Sequence, residues 1–417
     1  NRISVTTADG TVLSTHDDQD RLLTQGNTTF TYSANGELES RTTGGETTSY
    51  DYDSLGNLME VALPDGRQIQ YRMDGYGRRL AKLVNATDPE EIIFTSNGTE
   101  AVNLAVKGAA LANRRFGKHI VTTQIEHPAV LGSIAWLVEQ GFERTQLSVD
   151  NQGRIDPAAL GQALRDDTAL VGLHHASHDL GTIQPIAEAA RLTRERGIPL
   201  FVDATLSGGW LPLDMQQLGV DLVALAPHRF HGPKGVGVLY RNRRTLIEPL
   251  IHGGVHENEL RAGTENIAAI VGAGVAAESA LANLGQRSNL TGELQRKLLT
   301  GIRDAVAGVH LNGPEPGENR LPHHLSLSTE QVEGEGQALA MDLQGVAIHA
   351  GAACTSKSMQ IPPALEAIGL DADLARGTTL WGIGADTSEA DITGAIEVFT
   401  DVTGKLRAIT PVEDLLS

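Results

Sequence analysis

The chain of 417 residues contains a single cysteine, Cys354, and it lacks the basic and apolar segments that begin a signal peptide. One cysteine excludes an intramolecular disulfide, which fits a reducing compartment. No apolar run approaches the roughly 20 residues of a membrane span. The chain also lacks an initiator Met, which suggests a fragment or a processed product.

Positive charge is scarce as well, because 33 Lys and Arg stand against 52 Asp and Glu, for a net charge of −19. An acidic surface repels the phosphates of nucleic acids and the headgroups of anionic lipids. We therefore expect a cytoplasmic protein with no nucleic-acid partner and no membrane partner.

The first 85 residues are polar and repetitive. The stretches YSANGEL (32–38), YDSLGNL (52–58) and MDGYGRRL (73–80) follow one another at intervals of 20 and 21 residues, with a fainter copy, HDDQDRL, at 16–22. Each strong copy places a glycine (Gly36, Gly56, Gly77) in a turn and is followed by alternating residues, which is typical of β-hairpins. A fixed period indicates a repeat architecture. We predict a small antiparallel β-hairpin region over residues 1–85.

This region resembles the YD repeats of the Rhs family, most closely in YDYDSLGNLMEVALPDGRQIQY (50–71). The resemblance implies a sheet of the kind that builds a shell from many copies. Three or four copies cannot close such a shell, and repeats need neighbours to bury their faces. We expect a small curled sheet that acts as a spacer or relic rather than as a binding module.

From residue 89 the pattern changes to short apolar strands that alternate with amphipathic helices. The predicted strands are EIIFTS, HIVTTQ, TALVGLHHA, PLFVDA, LVALAP and GVGVLY, and the predicted helices include EAVNLAVKGAALANRRF, PAVLGSIAWLVEQ, DPAALGQALRD and IAEAARLTRERG. This alternation predicts an α/β fold with a mostly parallel sheet and helices on both faces. We assign a large domain to 86–265 and a helical linker with a smaller α+β domain to 266–417.

Polar residues follow several of these strands, where ligands bind in parallel sheets. Gly98 and Thr99 open a helix and can offer backbone N–H groups to an anion. His127 and Asp203 stand at two other strand ends. Thr264 lies in RAGTEN, and Cys354 lies in the small-residue run HAGAACTS.

Together the motifs EIIFTSNGTEAVNLA, IEHPAV, HRFHGPKGVGVLY, LRAGTEN and GAACTS resemble the cysteine desulfurase family, which belongs to the class V aminotransferases of pyridoxal-phosphate (PLP) fold type I. The resemblance covers residues 88–405. It implies that the His127 ring stacks on the PLP pyridine, that Asp203 pairs with the pyridine nitrogen, and that the Cys354 thiol carries a persulfide. It also implies a homodimer in which PLP or its phosphate is contacted by Gly98, Thr99, His228 and Thr264, the last from the partner subunit.

The chain departs from the family at Arg229, where the family has the lysine that holds PLP as a Schiff base. A guanidinium keeps its proton at every physiological pH, so it forms no aldimine and is no efficient base. It can still bind a phosphate or carboxylate through a fork of hydrogen bonds. Lys234 is close in sequence, but the family has a lysine there too, with a different role.

Other departures concern family positions around the cofactor and the substrate. Leu206 replaces a glutamine, Ala226 a phosphate-contacting serine, and Leu380 the arginine that clamps the substrate carboxylate, with Arg376 one turn away. The Asn-Asn-Glu run of the family reads Ser177, His178, Asp179. The family's N-terminal segment has no counterpart, so we expect apolar surface that is exposed or covered by the repeat sheet.

Three hypotheses follow. The first is a degenerate relative that lacks desulfurase activity of its own and carries persulfide, or a cluster ligand, on Cys354 for a sulfur-acceptor or iron–sulfur scaffold partner. The second is a PLP enzyme whose cofactor is held without a covalent bond, with His127 and Cys354 in the chemistry. The third is a non-catalytic fusion or interaction scaffold. We expect no metal site within the chain itself.

Overall fold

The computed structural model describes residues 4–7, 10–19, 21–52, 58–70, 78–351 and 361–409. The chain divides into two compact units, 1–75 and 76–417, and each is described by itself. The division falls between residues 75 and 76, whereas the sequence analysis set the boundary at 85. The segment between these two positions includes helix α1 (Arg78–Leu83), which belongs to the second unit. The further division near residue 265 stays a prediction.

The first unit is an eight-stranded antiparallel sheet in which every strand pairs with the next one along the chain. This confirms the hairpin prediction, and Gly36 has the positive φ of 96° that its predicted turn requires. Gly56 and Gly77 lie outside the described residues. The strands are β1 Ser4–Thr7, β2 Gly10–His16, β3 Leu22–Gln25, β4 Thr28–Tyr32, β5 Leu38–Thr43, β6 Glu46–Tyr52, β7 Leu58–Ala62 and β8 Gln68–Gln70.

The second unit is built on a seven-stranded sheet that is mostly parallel, as predicted. Its strands are β9 Ile92–Thr95, β10 His119–Thr123, β11 Glu143–Leu147, β12 Thr168–His174, β13 Leu200–Asp203, β14 Leu222–Leu225 and β15 Gly237–Arg241. The order is β11-β10-β12-β13-β14-β15-β9, and only the two pairs made by β15 are antiparallel. The strands β10, β12, β13 and β14 are buried along their whole length, which explains their continuous apolar runs.

Helices pack around this sheet, and their first residues follow the capping signals of the sequence. Asn97 caps α2 by accepting a hydrogen bond from the Glu100 N–H, and His127 caps α3 by accepting one from the Ala129 N–H. The caps place both helix N-termini directly after strands β9 and β10. The helices are α2 Gly98–Asn113, α3 Pro128–Glu139, α4 Pro157–Ala163, α5 Ile186–Glu195, α6 Met215–Leu218 and α7 Ile267–Ala305.

Helix α7 runs without a break for 39 residues, although the sequence has two separate helix candidates here, IAAIVGAGVAAESALANL and ELQRKLLTGIRDAV. Nothing lies within 4 Å of the position a Gly285 side chain would take, so this glycine does not mark a close crossing or a turn. An 18-residue window of α7 has a mean hydropathy of 1.6, so by length and composition it could cross a membrane, contrary to our expectation. Core helices of globular proteins pass the same test, and α7 packs its alanines Ala273, Ala277 and Ala280 into one core with Leu80 of α1.

The C-terminal part of the second unit has a four-stranded antiparallel sheet and its own core around Leu298, Leu325 and Phe399. The sheet order is β16-β17-β19-β18, with β16 Val309–Leu311, β17 His324–Thr329, β18 His349–Ala350 and β19 Thr378–Gly382. The helices are α8 Gly334–Asp342, α9 Pro363–Ala367, α10 Ala372–Arg376 and α11 Glu389–Ile409. This α+β arrangement is the one predicted.

Gly237 at the start of β15 holds the first turn of α2 in place. A Cβ atom at this glycine would overlap the backbone carbonyl of Asn97. We expect Gly237→Ala to lower the free energy of unfolding by about 1–3 kcal/mol, because backbone must move to relieve the overlap. Gly172→Ala, in β12 of the same sheet, is the matched control, since its Cβ would meet only Phe201 Cδ1 at 3.7 Å. If urea unfolding showed equal losses of unfolding free energy in Gly237→Ala and Gly172→Ala, the expectation would be contradicted.

Candidate active site

A cavity of about 440 Å³ lies in the second unit, where loops after the central strands meet the C-terminal sheet. It is lined on one side by residues that follow β10 and β12, and on the other by residues of β18 and β19. Most of its wall is apolar. The polar and charged lining residues are Glu126, His127, His178, Asp179, Arg229, His323, His324 and His349.

Arg229 reaches this cavity from a short 3-10 turn, Pro227–Phe230, that follows β14. The turn is fixed at three points. The Arg229 N–H donates to the Ala226 carbonyl at 2.9 Å, the Trp210 indole Nε1–H donates to the Arg229 carbonyl at 2.8 Å, and Phe230 is buried. The side chain itself is exposed to the cavity. The chain therefore holds the backbone at 229 firmly while the guanidinium stays accessible.

His127 lies beside this guanidinium and faces it as a neutral ring. Its Nδ1 accepts the Ala129 N–H at 3.1 Å, which leaves Nε2 as the N–H, and its ring meets His178 edge-on at 5.1 Å. Burial lowers the pKa of His127, and the neighbouring His178 and the Arg229 charge act in the same direction. A neutral imidazole offers a flat, weakly polar wall.

Asp203 ends β13 close to the first turn of α2. Its Oδ1 accepts hydrogen bonds from the backbone N–H and the hydroxyl of Thr205, at 2.9 and 2.7 Å. A Cβ atom at Gly98 would lie 3.1 Å from the Thr205 methyl group and 3.2 Å from Ala226 Cβ. The α2 N-terminus, the end of β13 and the turn before Arg229 thus converge, as the motif spacing predicts. Thr99 and His228 are exposed at this convergence.

A buried charged pair stands behind His127. His174 Nδ1 lies 3.0 Å from Glu126 Oε1, both side chains are almost fully buried, and the Thr123 hydroxyl donates to the same carboxylate at 2.8 Å. The other ring nitrogen, His174 Nε2, lies 3.0 Å from the Gln184 side-chain nitrogen, so the imidazole is held on both sides. Burial alone would lower the pKa of His174, but the Glu126 carboxylate outweighs burial and raises it.

The far wall of the cavity is supported by two neutral histidines. His323 stacks on Trp210 with ring centroids 4.2 Å apart, and His324 Nε2 donates to the His178 carbonyl at 2.9 Å. Burial lowers the pKa of both His323 and His324 to about 3. Arg320, which is buried, donates to the backbone carbonyls of Asn312, Pro314 and His324 and fixes this segment.

The structure brings together several positions at which the sequence departs from the family pattern. Residues Leu206, His178, Asp179, Arg229 and Leu380 all line the same cavity as His127. Ala226 lies next to Gly98, Ser177 is buried, and Arg376 forms an ion pair with Asp373 on α10. The departures therefore act on one site.

Of the predicted site residues, His127 and Arg229 line this cavity, whereas Gly98, Thr99, Asp203 and His228 are not among its described lining residues. Thr264 lines a second cavity of about 210 Å³ with Arg261, which pairs with Glu100 at 2.8 Å. Cys354 lies outside the described residues. Among the residues that the structure describes, no group of three or more His, Cys, Asp or Glu could hold a metal ion.

Sequence reasoning missed the support behind the cavity, namely Glu126, His174, Trp210, Arg320 and the two neutral histidines. His174 is the last residue of β12, and only its burial next to a carboxylate distinguishes it. The one visible signal was a charged residue, Glu126, shortly after the apolar strand β10, because a carboxylate demands a partner once it is buried.

Comparison with known proteins agrees with this geometry. The aminotransferase class-V family profile matches residues 46–392. The chain is 41% identical over 346 residues to the cysteine desulfurase IscS of Dictyoglomus turgidum, which covers 83% of this chain and 87% of that protein. It is 39% identical over 362 residues to the IscS of Methanosarcina thermophila, which covers 87% and 88% of the two chains.

Among solved structures, a NifS-like protein superimposes with a TM-score of 0.74 at 30% identity, over 80% of this chain and 87% of that one. Fold, site geometry and sequence identity all agree, and the chain belongs to the cysteine desulfurase family of class V aminotransferases.

Proposed function

We propose that this protein is a sulfur-transfer member of the family that does not desulfurate cysteine by itself. Its role is to carry sulfur on Cys354, which it receives from another persulfide and passes to an acceptor protein. It acts as a cytoplasmic homodimer, and Thr264 contributes to the site of the partner subunit. Its net charge of −19 favours a partner with a basic surface.

The observation that supports this proposal is the lining of the cavity. None of its described lining residues is a lysine, and Arg229 is the cation that faces His127. Lys234, the nearby lysine in the sequence, is exposed and is not among the described lining residues. The amine that an imine requires is therefore missing where the cofactor's aldehyde belongs.

Membership of the family implies PLP, which supplies an electron sink for carbanion chemistry when bound. The described residues fit the ring and phosphate only by contact. The flat neutral His127, the Asp203 carboxylate and the N–H groups at Gly98 and Thr99 are present, but no lysine is among the described lining residues. Leu206 and Leu380 also line the cavity as alkyl groups that can donate no hydrogen bond.

A second candidate function, a PLP enzyme with a cofactor held by contacts alone, is favoured by the retention of His127 and Asp203. In that case His127 would orient the ring and Asp203 would hold a proton at the pyridine nitrogen. The missing amine still removes the base that moves the substrate's α-proton. We therefore rank this candidate second.

Sulfur transfer through Cys354 needs no amine. The Cys354 thiolate attacks the outer sulfur of a donor persulfide, a new S–S bond forms on Cys354, and the old S–S bond breaks to release the donor as a thiolate. An acceptor thiolate then attacks the outer sulfur on Cys354, so a new S–S bond forms on the acceptor and the Cys354 thiolate is released. A cluster-ligand role for Cys354 would require further ligands from a partner protein.

Incubation of the reduced protein with glutathione persulfide tests this proposal. We expect mass spectrometry to show one added sulfur atom on the peptide that contains Cys354, and no such gain in Cys354→Ser. Free cysteine with PLP should give neither added sulfur on Cys354 nor alanine, because the described cavity lining offers no amine to hold the cofactor's aldehyde or to move the substrate's α-proton. Alanine release that depends on Cys354 would contradict the proposal and support the PLP enzyme.

The first unit is proposed to be a YD-repeat-like spacer or relic, with no part in sulfur transfer. Its hairpin order and its turn at Gly36 support this assignment. A scaffold role without chemistry remains the alternative if the persulfide test fails.

A further inference from the structure

The cavity holds one positive charge that nothing described around it balances. The Arg229 guanidinium has no hydrogen bond or ion pair to any other residue in the described part of the chain, although its backbone is held on both sides. The two carboxylates of the wall are engaged elsewhere, because Glu126 pairs with His174 at 3.0 Å and Asp179 lies 3.3 Å from His178 Nε2. The Arg229 guanidinium therefore faces the cavity as a permanent cation without a direct partner among the described residues.

The surrounding wall sets the shape and polarity of what this charge can bind. Alkyl and proline side chains form a large part of it, and five histidines and Trp381 contribute flat rings. His127 and His323 are kept neutral by burial and by the Arg229 charge itself, so they add no second positive charge. A volume of about 440 Å³ is within the range of pockets that hold small organic ligands.

We propose that this cavity binds a small planar aromatic monocarboxylate, with the carboxylate on the Arg229 fork and the ring between the flat and apolar walls. The proposal rests on the proposed function and deepens it by naming what occupies the altered site. The physical reason is a match of charge and geometry. A guanidinium binds a carboxylate through two parallel N–H···O bonds, which a lysine ammonium cannot do.

A monoanion fits better than a dianion because Arg229 is the one arginine or lysine among the described lining residues, and the Glu126 and Asp179 carboxylates lie in the same wall. Burying a second negative charge against Leu206, Leu131 and Leu380 would leave it without a partner. The ring carboxylate that results from oxidation of the pyridoxal aldehyde has this chemistry, since it places a carboxylate where an aldehyde would meet an amine. It is therefore a suitable probe.

Titration calorimetry of the full chain with 4-pyridoxate tests the inference, with pyridoxine as the matched ligand that carries a neutral hydroxymethyl group at the same ring position. We expect 4-pyridoxate to bind at least about tenfold more tightly, the effect of one charge-assisted hydrogen bond or more. Arg229→Gln should abolish this preference. Arg229→Lys should keep part of this preference, because the positive charge remains but the two parallel N–H···O bonds of the guanidinium are lost.

Arg191→Gln is the control, because Arg191 is an exposed arginine of α5 that pairs with Glu195. It should leave both affinities unchanged. Equal affinities for the two ligands, undiminished preference in Arg229→Gln, or absence of binding at millimolar 4-pyridoxate would each overturn the inference. Persulfide loading of Cys354 is measured on the same preparations, and its failure would overturn the proposed function separately.

Discussion

Replacing Arg229 by lysine should give the PLP-treated protein a visible absorbance band that borohydride converts into a stable adduct, whereas the unaltered protein gives none. The backbone at this position is already held by Trp210 and Ala226, so the new amine should point into the cavity beside His127. A lysine in this setting, next to neutral histidines, forms an imine with an aldehyde. We expect adduct formation to rise from background to near one per chain.

Peptide mapping of the reduced adduct identifies its position. The double variant Arg229→Lys/Lys234→Gln should retain it, because Lys234 does not line the cavity in the described residues. An adduct on Lys234 in the unaltered protein would show that Lys234 supplies the amine that reacts with the aldehyde. Desulfuration should stay low in Arg229→Lys, since Leu380 offers no cation to the substrate carboxylate.

His174→Met should cost about 3–5 kcal/mol of unfolding free energy, the largest effect on stability that we expect from one substitution. The change leaves the Glu126 carboxylate buried without its cationic partner. Methionine fills much of the imidazole volume, so the loss reports charge more than packing. Urea unfolding followed by circular dichroism measures it.

The effect should depend on pH with a defined sign. The pKa of His174 is raised in the folded state above its ordinary value of 6.5, so the folded chain binds this proton more tightly than the unfolded chain. Its contribution is complete below pH 6.5 and is lost as pH rises through the folded pKa. The stability difference between the unaltered protein and His174→Met should therefore be larger at pH 6 than at pH 9.

The double variant Glu126→Gln/His174→Met provides the control for this pair. Removing both charges should restore stability to within about 1 kcal/mol of the unaltered protein, because neither partner is left buried and charged. A double variant as unstable as His174→Met would show that the loss came from packing. A loss of unfolding free energy below about 1 kcal/mol in His174→Met would show that the Glu126–His174 pair contributes little to stability.

Much of the fold follows from local pattern. The predicted strand TALVGLHHA contains the apolar run ALVGL, and its first seven residues form the buried strand β12. The helix that follows EIIFTS begins at Gly98 after an Asn97 cap. Such signals depend on neighbours in sequence, so they can be recognised without the structure. The convergence of His127, Asp203 and Arg229 at one edge was predicted because strand ends in a parallel sheet lie together.

The remaining features depend on contacts between distant segments. Trp210 and His323 stack although they are far apart in the chain, and Arg320 is buried by satisfying carbonyls rather than carboxylates. The sequence offered two helix candidates, 267–284 and 293–306, but the segment between them is also helical in α7, where the Thr291 hydroxyl donates to the Arg287 carbonyl. Tertiary packing overrides weak local propensity in this segment.

The hydrogen bond from Trp210 to the Arg229 carbonyl also affects which residues position 229 can carry. This hydrogen bond is accepted by the main-chain carbonyl, so it does not depend on which side chain is present at position 229. Lysine and arginine codons can differ by one nucleotide, and the scaffold would accept either residue without rebuilding the turn. Exchange of arginine for lysine at position 229 thus requires one nucleotide change and no change in the turn.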